Sequence, residues 1–158
     1  MPDSSIHTIY IGADHRGFDL KEQLKAWLSG LGYIVQDCGA LEKDPADDFP
    51  PISFHVAQSV VADGPESLGI MICGSGAGVV VAANKVKGAL ATLCLDTEMA
   101  KAARHDDHIN VVCVASNFQS LPEVQEIIQA VISTEPGIDE RYQRRVTEIA
   151  MYERQPGN

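Results

Sequence analysis

The chain has 158 residues, of which 45% are hydrophobic and 22% charged, and its formal net charge at pH 7 is −10. These values are typical of one soluble globular domain spanning 1–158, and the acidic balance disfavours a nucleic-acid partner, which would need a basic footprint. No apolar run approaches the ~20 residues that cross a bilayer, so we expect no membrane segment. Four cysteines without close spacing disfavour a disulfide framework and favour the reducing cytoplasm.

Strand-like and helix-like segments alternate along the chain. Apolar runs predict strands at 6–13, 33–37, 68–73, 90–95 and 111–115, and amphipathic periodicity predicts helices at 18–31, 52–62, 75–83, 97–104, 122–132 and 139–152. The strands are apolar throughout, which is typical of a parallel sheet covered on both faces. We therefore predict an α/β fold with a doubly wound, five-stranded parallel sheet. The helix-breaking residues Pro136 and Gly137 separate an extra C-terminal helix, at 138–153, from the sheet. We expect this helix to pack on a partner subunit.

The segment after the third predicted strand is the most informative part of the sequence. An apolar run ends in a cysteine, and glycines then alternate with small residues, in the order Cys73-Gly74-Ser75-Gly76-Ala77-Gly78. A glycine turn from a strand into a helix presents N–H groups that bind anions, phosphate above all, and that favour a cysteine thiolate. The alternative is that Cys73 is a small buried hydrophobic residue. The glycines favour a functional role, because they are costly unless the backbone needs them.

Polar residues lie beside other predicted strands. Asp14 and His15 follow the first strand between glycines, and the segment 104–110, which contains two histidines, precedes the fifth. Three arginines at helical spacing lie on the last helix: Arg141, Arg144 and Arg145. Because ligands gather at the carboxyl ends of parallel strands, we expect these groups to converge on Cys73.

Each of these groups also has a simpler interpretation. Asp14 and His15 would cap the entry to the first helix, and the arginines would form a solvated helix face. The spacing of His105 and His108 is compatible with a metal site, but a hydrated loop is the more common arrangement, so we expect no metal.

Three familiar motifs do not fit the glycine segment. A cysteine phosphatase loop requires an arginine where the chain has Val79, and a P-loop requires Gly-Lys-Ser/Thr at its end, where Gly78 is followed by two valines. The dinucleotide fingerprint comes closest, because Gly74 and Gly76 match its first two glycines. Its third small residue, however, falls on Val79.

Together these motifs resemble the ribose-5-phosphate isomerase B family, which also includes the galactose-6-phosphate isomerase subunits. The matching segments cover nearly the whole chain: 12–18, 72–78, 82–85, the His105 segment and 141–146. The resemblance implies a Rossmann-like three-layer α/β/α sandwich and a homodimer or homotetramer whose active sites are shared between subunits. It implies a small-molecule sugar phosphate as the substrate, with no cofactor and no metal.

The resemblance also implies roles for individual residues. The catalytic cysteine falls on Cys73 and the ring-opening histidine on His105. Substrate-binding positions fall on Asp14, His15, Gly74, Ser75, Gly76, Ala77, Gly78, Asp106, Arg141 and Arg145. Among these, the 74–78 loop would form an anion hole and the two arginines would bind phosphate.

The chain departs from the family pattern at two places. One more residue than usual separates His105 from Asn110, which leaves His108 as an alternative for ring opening. After the fifth strand the family has Gly-Ser-Arg, whose arginine helps to hold phosphate, whereas this chain has Ala115-Ser116-Asn117. The loss of that cation is also compatible with a different sugar as the substrate.

The expected reaction is an aldose–ketose isomerisation, from ribose 5-phosphate to ribulose 5-phosphate through a cis-enediolate. Because the carbon acid is weak, the enzyme must supply a base and stabilise an oxyanion, and Cys73 with the glycine loop would do both. One alternative is an isomerase of allose 6-phosphate, galactose 6-phosphate or an unphosphorylated sugar. Another is a non-catalytic flavodoxin-like module that binds a nucleotide or a sugar phosphate.

Overall fold

A five-stranded, fully parallel sheet forms the centre of the protein, and the computed structural model describes residues 5–157. The strands are β1 (Thr8–Ala13), β2 (Ile34–Asp37), β3 (Ser67–Cys73), β4 (Ala91–Leu93) and β5 (Val111–Ala115). The helices are α1 (Phe18–Gly30), α2 (Phe49–Asp63), α3 (Ala77–Ala83), α4 (Thr97–Asp107), α5 (Leu121–Ile132) and α6 (Glu140–Glu153). The order across the sheet is β2-β1-β3-β5-β4. Within residues 5–157, none of the helices has the length and apolar character that a membrane span requires.

Helices cover both faces of the sheet, as the uniformly apolar strands predict. All seven residues of β3 and all five of β5 are buried. Ile70 and Ile72 face the layer of α1, α4 and α5, whereas Met71 and Cys73 face the layer of α2 and α3. Burial of apolar surface on two faces is the dominant favourable term in folding. The predicted three-layer α/β/α sandwich is confirmed.

Three helix boundaries differ from the predicted ones by two residues or more. Helix α2 begins at Phe49 rather than at residue 52, because prolines are tolerated in a first helical turn, where an N–H has no partner to lose. Helix α3 begins at Ala77 rather than at residue 75, because Gly76 before it has a φ of +75°. Helix α4 continues to Asp107 rather than ending at residue 104, so His105 lies in its last turn and not in a loop.

The C-terminal helix α6 contacts the rest of the chain near its two ends. Tyr142 is buried in its first turn, and its ring lies edge-on to His105 with 5.0 Å between the ring centroids. Near the other end, the carboxylate of Glu153 accepts a hydrogen bond from the N–H of Gly88. Ile149, between them, is 46% exposed. The expectation that this helix packs on a partner subunit stays a prediction.

A buried lysine ties α1 to the end of β2 and to the loop that follows it. Lys21 is fully buried, and its Nζ donates to both carboxylate oxygens of Asp37, at 3.0 and 2.8 Å, and to the carbonyl of Ala40 at 2.7 Å. Lys25 also donates to Asp37, at 2.6 Å. Burial on its own would raise the pKa of Asp37. The hydrogen bonds from the two lysines and from the N–H of Gly39 outweigh that effect and lower it.

We expect Lys21→Met to lower the free energy of unfolding by about 2–4 kcal/mol, because it removes one partner of a buried ion pair. The pKa of Asp37 is lower in the folded than in the unfolded chain. The stability from this pair is therefore present at neutral pH and is lost as the pH falls through the folded value. Urea denaturation at pH 7 and at acidic pH measures both effects.

The matched control for this prediction is Lys25→Met. The Lys25 side chain is 27% exposed, so its loss is expected to cost less than about 1 kcal/mol. Equal stability of the wild type and Lys21→Met at neutral pH would contradict the role of the buried pair.

Candidate active site

Cys73 is the last residue of β3 and the first of the glycine-rich segment. The residue is 5% exposed, and its Sγ accepts a hydrogen bond from the N–H of Gly76 at 3.1 Å. That donor can point back at the sulfur because Gly76 adopts the left-handed region, which is cheap only for glycine. A methyl group at position 76 would also lie 2.5 Å from Cδ1 of Leu93. The backbone N–H of Gly76 is therefore a donor fixed on the sulfur of Cys73.

The loop 74–78 also presents backbone donors without partners. Within residues 5–157, the N–H groups of Gly74, Ser75 and Gly78 make no hydrogen bond. The N–H of Ala77 makes only a long one, 3.4 Å, to the hydroxyl of Ser75. Unpaired amides beside a thiol are suited to an anionic ligand. The assignment of this loop as an anion hole stays a prediction.

The turn between β1 and α1 lies next to this loop, because β1 and β3 are neighbours in the sheet. Asp14 is buried, and its Oδ1 accepts hydrogen bonds from the N–H groups of Arg16 at 3.0 Å and Gly17 at 3.2 Å. These bonds form a turn ahead of α1 and not a cap, because Gly17 is the residue before the helix and α1 has no side-chain cap hydrogen bond, so the capping interpretation is wrong for Asp14. The second carboxylate oxygen, Oδ2, has no hydrogen-bond partner in the described part of the chain and is available to a ligand.

Asp47, which the sequence analysis does not identify, holds the side chain of His15. Its Oδ1 lies 2.8 Å from Nδ1 of His15 and accepts the backbone N–H of the same residue at 2.9 Å. Because a carboxylate only accepts, Nδ1 carries the proton and Nε2 is the free edge of the ring. No sequence signal distinguishes Asp47 from Asp44 or Asp48, since only the folded loop decides which carboxylate reaches the histidine.

A second polar cluster lies at the end of α4. Nδ1 of His105 lies 2.7 Å from Oδ1 of Asp106, and the hydroxyl of Tyr142 accepts a hydrogen bond from Arg141 at 2.6 Å. The hydrogen bond from His105 lowers the pKa of Asp106, and the charge of Arg141 acts in the same direction. Nε2 of His105 has no hydrogen-bond partner within residues 5–157. Arg145 is exposed one turn further along α6.

The two clusters lie at opposite ends of the sheet. Cys73 pairs with Ala115 at the carboxyl end of β5, whereas His105 precedes Val111, the residue that begins β5 at its amino end. At 3.3 Å per residue, the strand alone separates these ends by roughly 13 Å. The expectation that the segment before β5 converges on Cys73 is therefore wrong within one chain. The same holds for the positions that share this end: Asp106, Arg141 and Arg145.

His108, the alternative to His105, ends α4. It adopts a left-handed conformation, with φ of 53°, and its Nε2 lies 3.0 Å from the carbonyl oxygen of Gly137. The extra residue before Asn110 is thus accommodated at the end of α4, where His108 contacts Gly137 in the segment before α6. His105, with its Nε2 free, is the better placed of the two histidines to reach a ligand.

Metal-ligating side chains are dispersed through the described part of the chain. Among residues 5–157, no group of three or more His, Cys, Asp or Glu side chains is arranged to hold a metal ion.

Cys94 and Cys113 are fully buried. Burial, with a smaller contribution from Asp96, raises the pKa of Cys94 to about 12, which keeps this thiol protonated at neutral pH. The two thiols act as apolar core residues.

Comparison with known proteins identifies the family. A family model described as ribose/galactose isomerase matches residues 9–149. The chain belongs to this family. The resemblance inferred from the sequence motifs is confirmed, and membership of the ribose/galactose isomerase family makes the protein a sugar isomerase by class.

The relatives match over nearly their whole length. Probable ribose-5-phosphate isomerase B of Mycoplasma pneumoniae is 43% identical over 94% of this chain and 97% of its own. Ribose-5-phosphate isomerase B of Mycolicibacterium paratuberculosis is 39% identical, with coverage of 92% and 91%. The crystal structure of ribose-5-phosphate isomerase B from Mycoplasma genitalium with bound ribulose 5-phosphate superposes with a TM-score of 0.90 at 38% identity, covering 94% of this chain and 97% of that one.

We expect Asp47→Ala to lower kcat/KM for sugar isomerisation about tenfold, because a carboxylate partner fixes the orientation and tautomer of a histidine. The ¹⁵N chemical shifts of the His15 ring report the tautomer directly and should change in the variant. Asp44→Ala is the matched control, since Asp44 lies in the same loop and accepts from the N–H of Ala46. Unchanged ring shifts and unchanged kcat/KM in Asp47→Ala would show that His15 does not depend on this carboxylate.

Proposed function

We propose that this protein interconverts ribose 5-phosphate and ribulose 5-phosphate. The observation that carries the proposal is a cysteine held beside a loop of unpaired N–H groups. Relatives named ribose-5-phosphate isomerase B, which align over more than 90% of this chain, support it, and one of them was crystallised with ribulose 5-phosphate. The four free cysteines fit a reducing compartment, and we place the enzyme in the cytoplasm.

Cys73 is the proposed base. The thiolate removes the proton from C2 of the open-chain aldose, and negative charge develops on the carbonyl oxygen as the cis-enediolate forms. The free N–H groups of Gly74 and Ser75 are the donors that would stabilise this oxygen. The thiol then returns the proton to C1 while the Ser75 hydroxyl assists proton exchange between the two oxygens, which completes the ketose.

His105 is the proposed acid–base group for ring opening. It would accept the proton of the anomeric hydroxyl and return a proton to the ring oxygen, so that the linear sugar reaches Cys73. The contact of its Nδ1 with Asp106 supports this role, because it fixes the ring and leaves Nε2 as the working edge.

The remaining predicted residues would bind and orient the substrate. Asp14 would accept hydrogen bonds from sugar hydroxyls through its free Oδ2, and Nε2 of His15 offers a further polar contact beside it. Arg141 and Arg145 would bind phosphate, because guanidinium groups match two phosphate oxygens at once. Binding energy from this unreactive end would orient the reacting carbons.

We propose that each active site combines the Cys73 cluster of one subunit with the His105 cluster of another. Their separation within one chain supports this arrangement, and a two-fold axis would build two such sites in a homodimer or in each dimer of a homotetramer. The short edge strand β4 offers a contact surface, because exposed apolar side chains lie on elements next to it. They are Val81, Leu95, Ile149 and Met151.

The proposed base is tested with Cys73→Ala. We expect kcat for ribose 5-phosphate to fall by about 10²–10⁴-fold, because the base is lost, with an unchanged circular dichroism spectrum. Cys38→Ala is the control, since Cys38 is half-buried in the loop after β2 and its thiol is within hydrogen-bond distance of Gln36 and Ser59, neither of which is a proposed site residue. A fully active Cys73→Ala enzyme would refute Cys73 as the base.

A panel of sugars tests the substrate. Allose 6-phosphate, galactose 6-phosphate and free ribose are compared with ribose 5-phosphate by NMR of the aldose and ketose signals. Faster turnover of a hexose phosphate or of free ribose would replace the proposed substrate. Absence of turnover on every sugar would favour the binding-module alternative.

A mixing experiment tests the shared site. Cys73→Ala and His105→Ala subunits, each inactive alone, are co-expressed or refolded together. If Cys73 and His105 act across subunits, random dimers regain about a quarter of the wild-type sites, because half of the dimers are mixed and each has one intact site. Mixing Cys73→Ala with Cys73→Ser subunits is the control and should restore nothing. No recovery in the first mixture would contradict a site that is shared across subunits.

A further inference from the structure

The side chain of Arg16 lies across the glycine loop. A methyl group added at Gly74 would lie 2.7 Å from Cδ of Arg16 and 3.2 Å from its Nη1. The arginine therefore runs against the backbone of the residue that directly follows the proposed base. A side chain at position 74 would push it away, so glycine at this position is explained by the close approach of Arg16.

The backbone of Arg16 is held on both sides. Its N–H donates to Oδ1 of Asp14 at 3.0 Å, and its carbonyl accepts from the hydroxyl of Ser116 at 2.9 Å. The same hydroxyl lies 3.2 Å from the carbonyl oxygen of Cys73. The stem of this exposed arginine thus starts from a fixed point between the turns after β1, β3 and β5, which distinguishes it from a solvated arginine on a helix face.

The groups that lie near the Arg16 side chain at Gly74 are hydrogen-bond donors. The amide Nδ2 of Asn117 lies 2.9 Å from the same methyl position at Gly74, and the N–H groups of Gly74 and Ser75 are unpaired within residues 5–157. Among those residues no carboxylate forms an ion pair with Arg16, although the chain has 22 acidic residues. A cation among donors lacks an acceptor, and an oxyanion supplies one.

We propose that Arg16 and Asn117 form a phosphate-binding pair beside the Cys73 loop and contact the phosphate of the substrate. This inference rests on the proposed function. A guanidinium binds two phosphate oxygens through parallel N–H groups, and the Asn117 amide adds a third donor. At position 117 the family pattern has an arginine, so Arg16 brings a cation to the same place from the turn after β1.

The pair is tested first with Arg16→Gln, which removes the charge and keeps a polar side chain. We expect the Kd for inorganic phosphate, measured by calorimetry, and the KM for ribose 5-phosphate to rise about tenfold, with kcat within about twofold of wild type. Lys43→Gln is the matched control, because Lys43 pairs with Asp19 and contacts no loop residue. Phosphate affinity that is unchanged in Arg16→Gln, or a loss confined to kcat, overturns the proposal.

A rescue variant separates the charge from the side chain that carries it. The double variant Arg16→Gln/Asn117→Arg returns a cation to the Gly74 loop and is expected to recover most of the phosphate affinity. A double variant with the wild-type circular dichroism spectrum but no recovery overturns the pair, as does absence of phosphate binding to the wild type. A wild type that binds phosphate through Arg16 but does not isomerise ribose 5-phosphate would refute the proposed function and leave the pair standing.

Discussion

The common direction of the five strands is the constraint on which the rest of the structure depends. Every turn that follows a strand lies at one end of the sheet, and every turn that precedes a strand lies at the other. Cys73 ends a strand and Asp14 and His15 follow one, whereas His105 precedes one. One chain therefore carries two incomplete clusters, and the proposed chemistry needs a second chain to bring them together.

Each of the three glycines after β3 is required by a different neighbouring group. Gly76 supplies the left-handed turn that directs an N–H at the sulfur. Gly74 leaves room for Arg16, and Gly78 leaves room for the ring of Phe49, which a methyl group would approach to 2.7 Å. Glycine in this segment is thus explained by close packing at all three positions and, at Gly76, also by the left-handed backbone conformation. Together these constraints keep a thiol and several unpaired amides at the rim of a packed sheet.

The long loop before α2 links the stability of the fold to the geometry of the site. At its start, the carbonyl of Ala40 accepts a hydrogen bond from the buried Lys21. Near its end, Asp47 holds the ring and the backbone of His15. An irregular segment held at both ends can position a side chain without helical or strand structure of its own. An acidic loop without regular structure is therefore part of the candidate site.

Local order along the chain was enough to predict the strands and helices, the three layers, and Cys73 with its glycine loop. These features depend on periodicity and on residues adjacent in sequence. The sequence did not identify Asp47 and Arg16 as neighbours of the predicted site residues. The contact between His15 and Asp47, for example, joins positions 32 residues apart and depends on the path of a loop. The tertiary structure also placed His105 in a helix at the far end of the sheet from Cys73. The parallel direction of the strands, and not the order of residues in the chain, decides which turns share an end of the sheet.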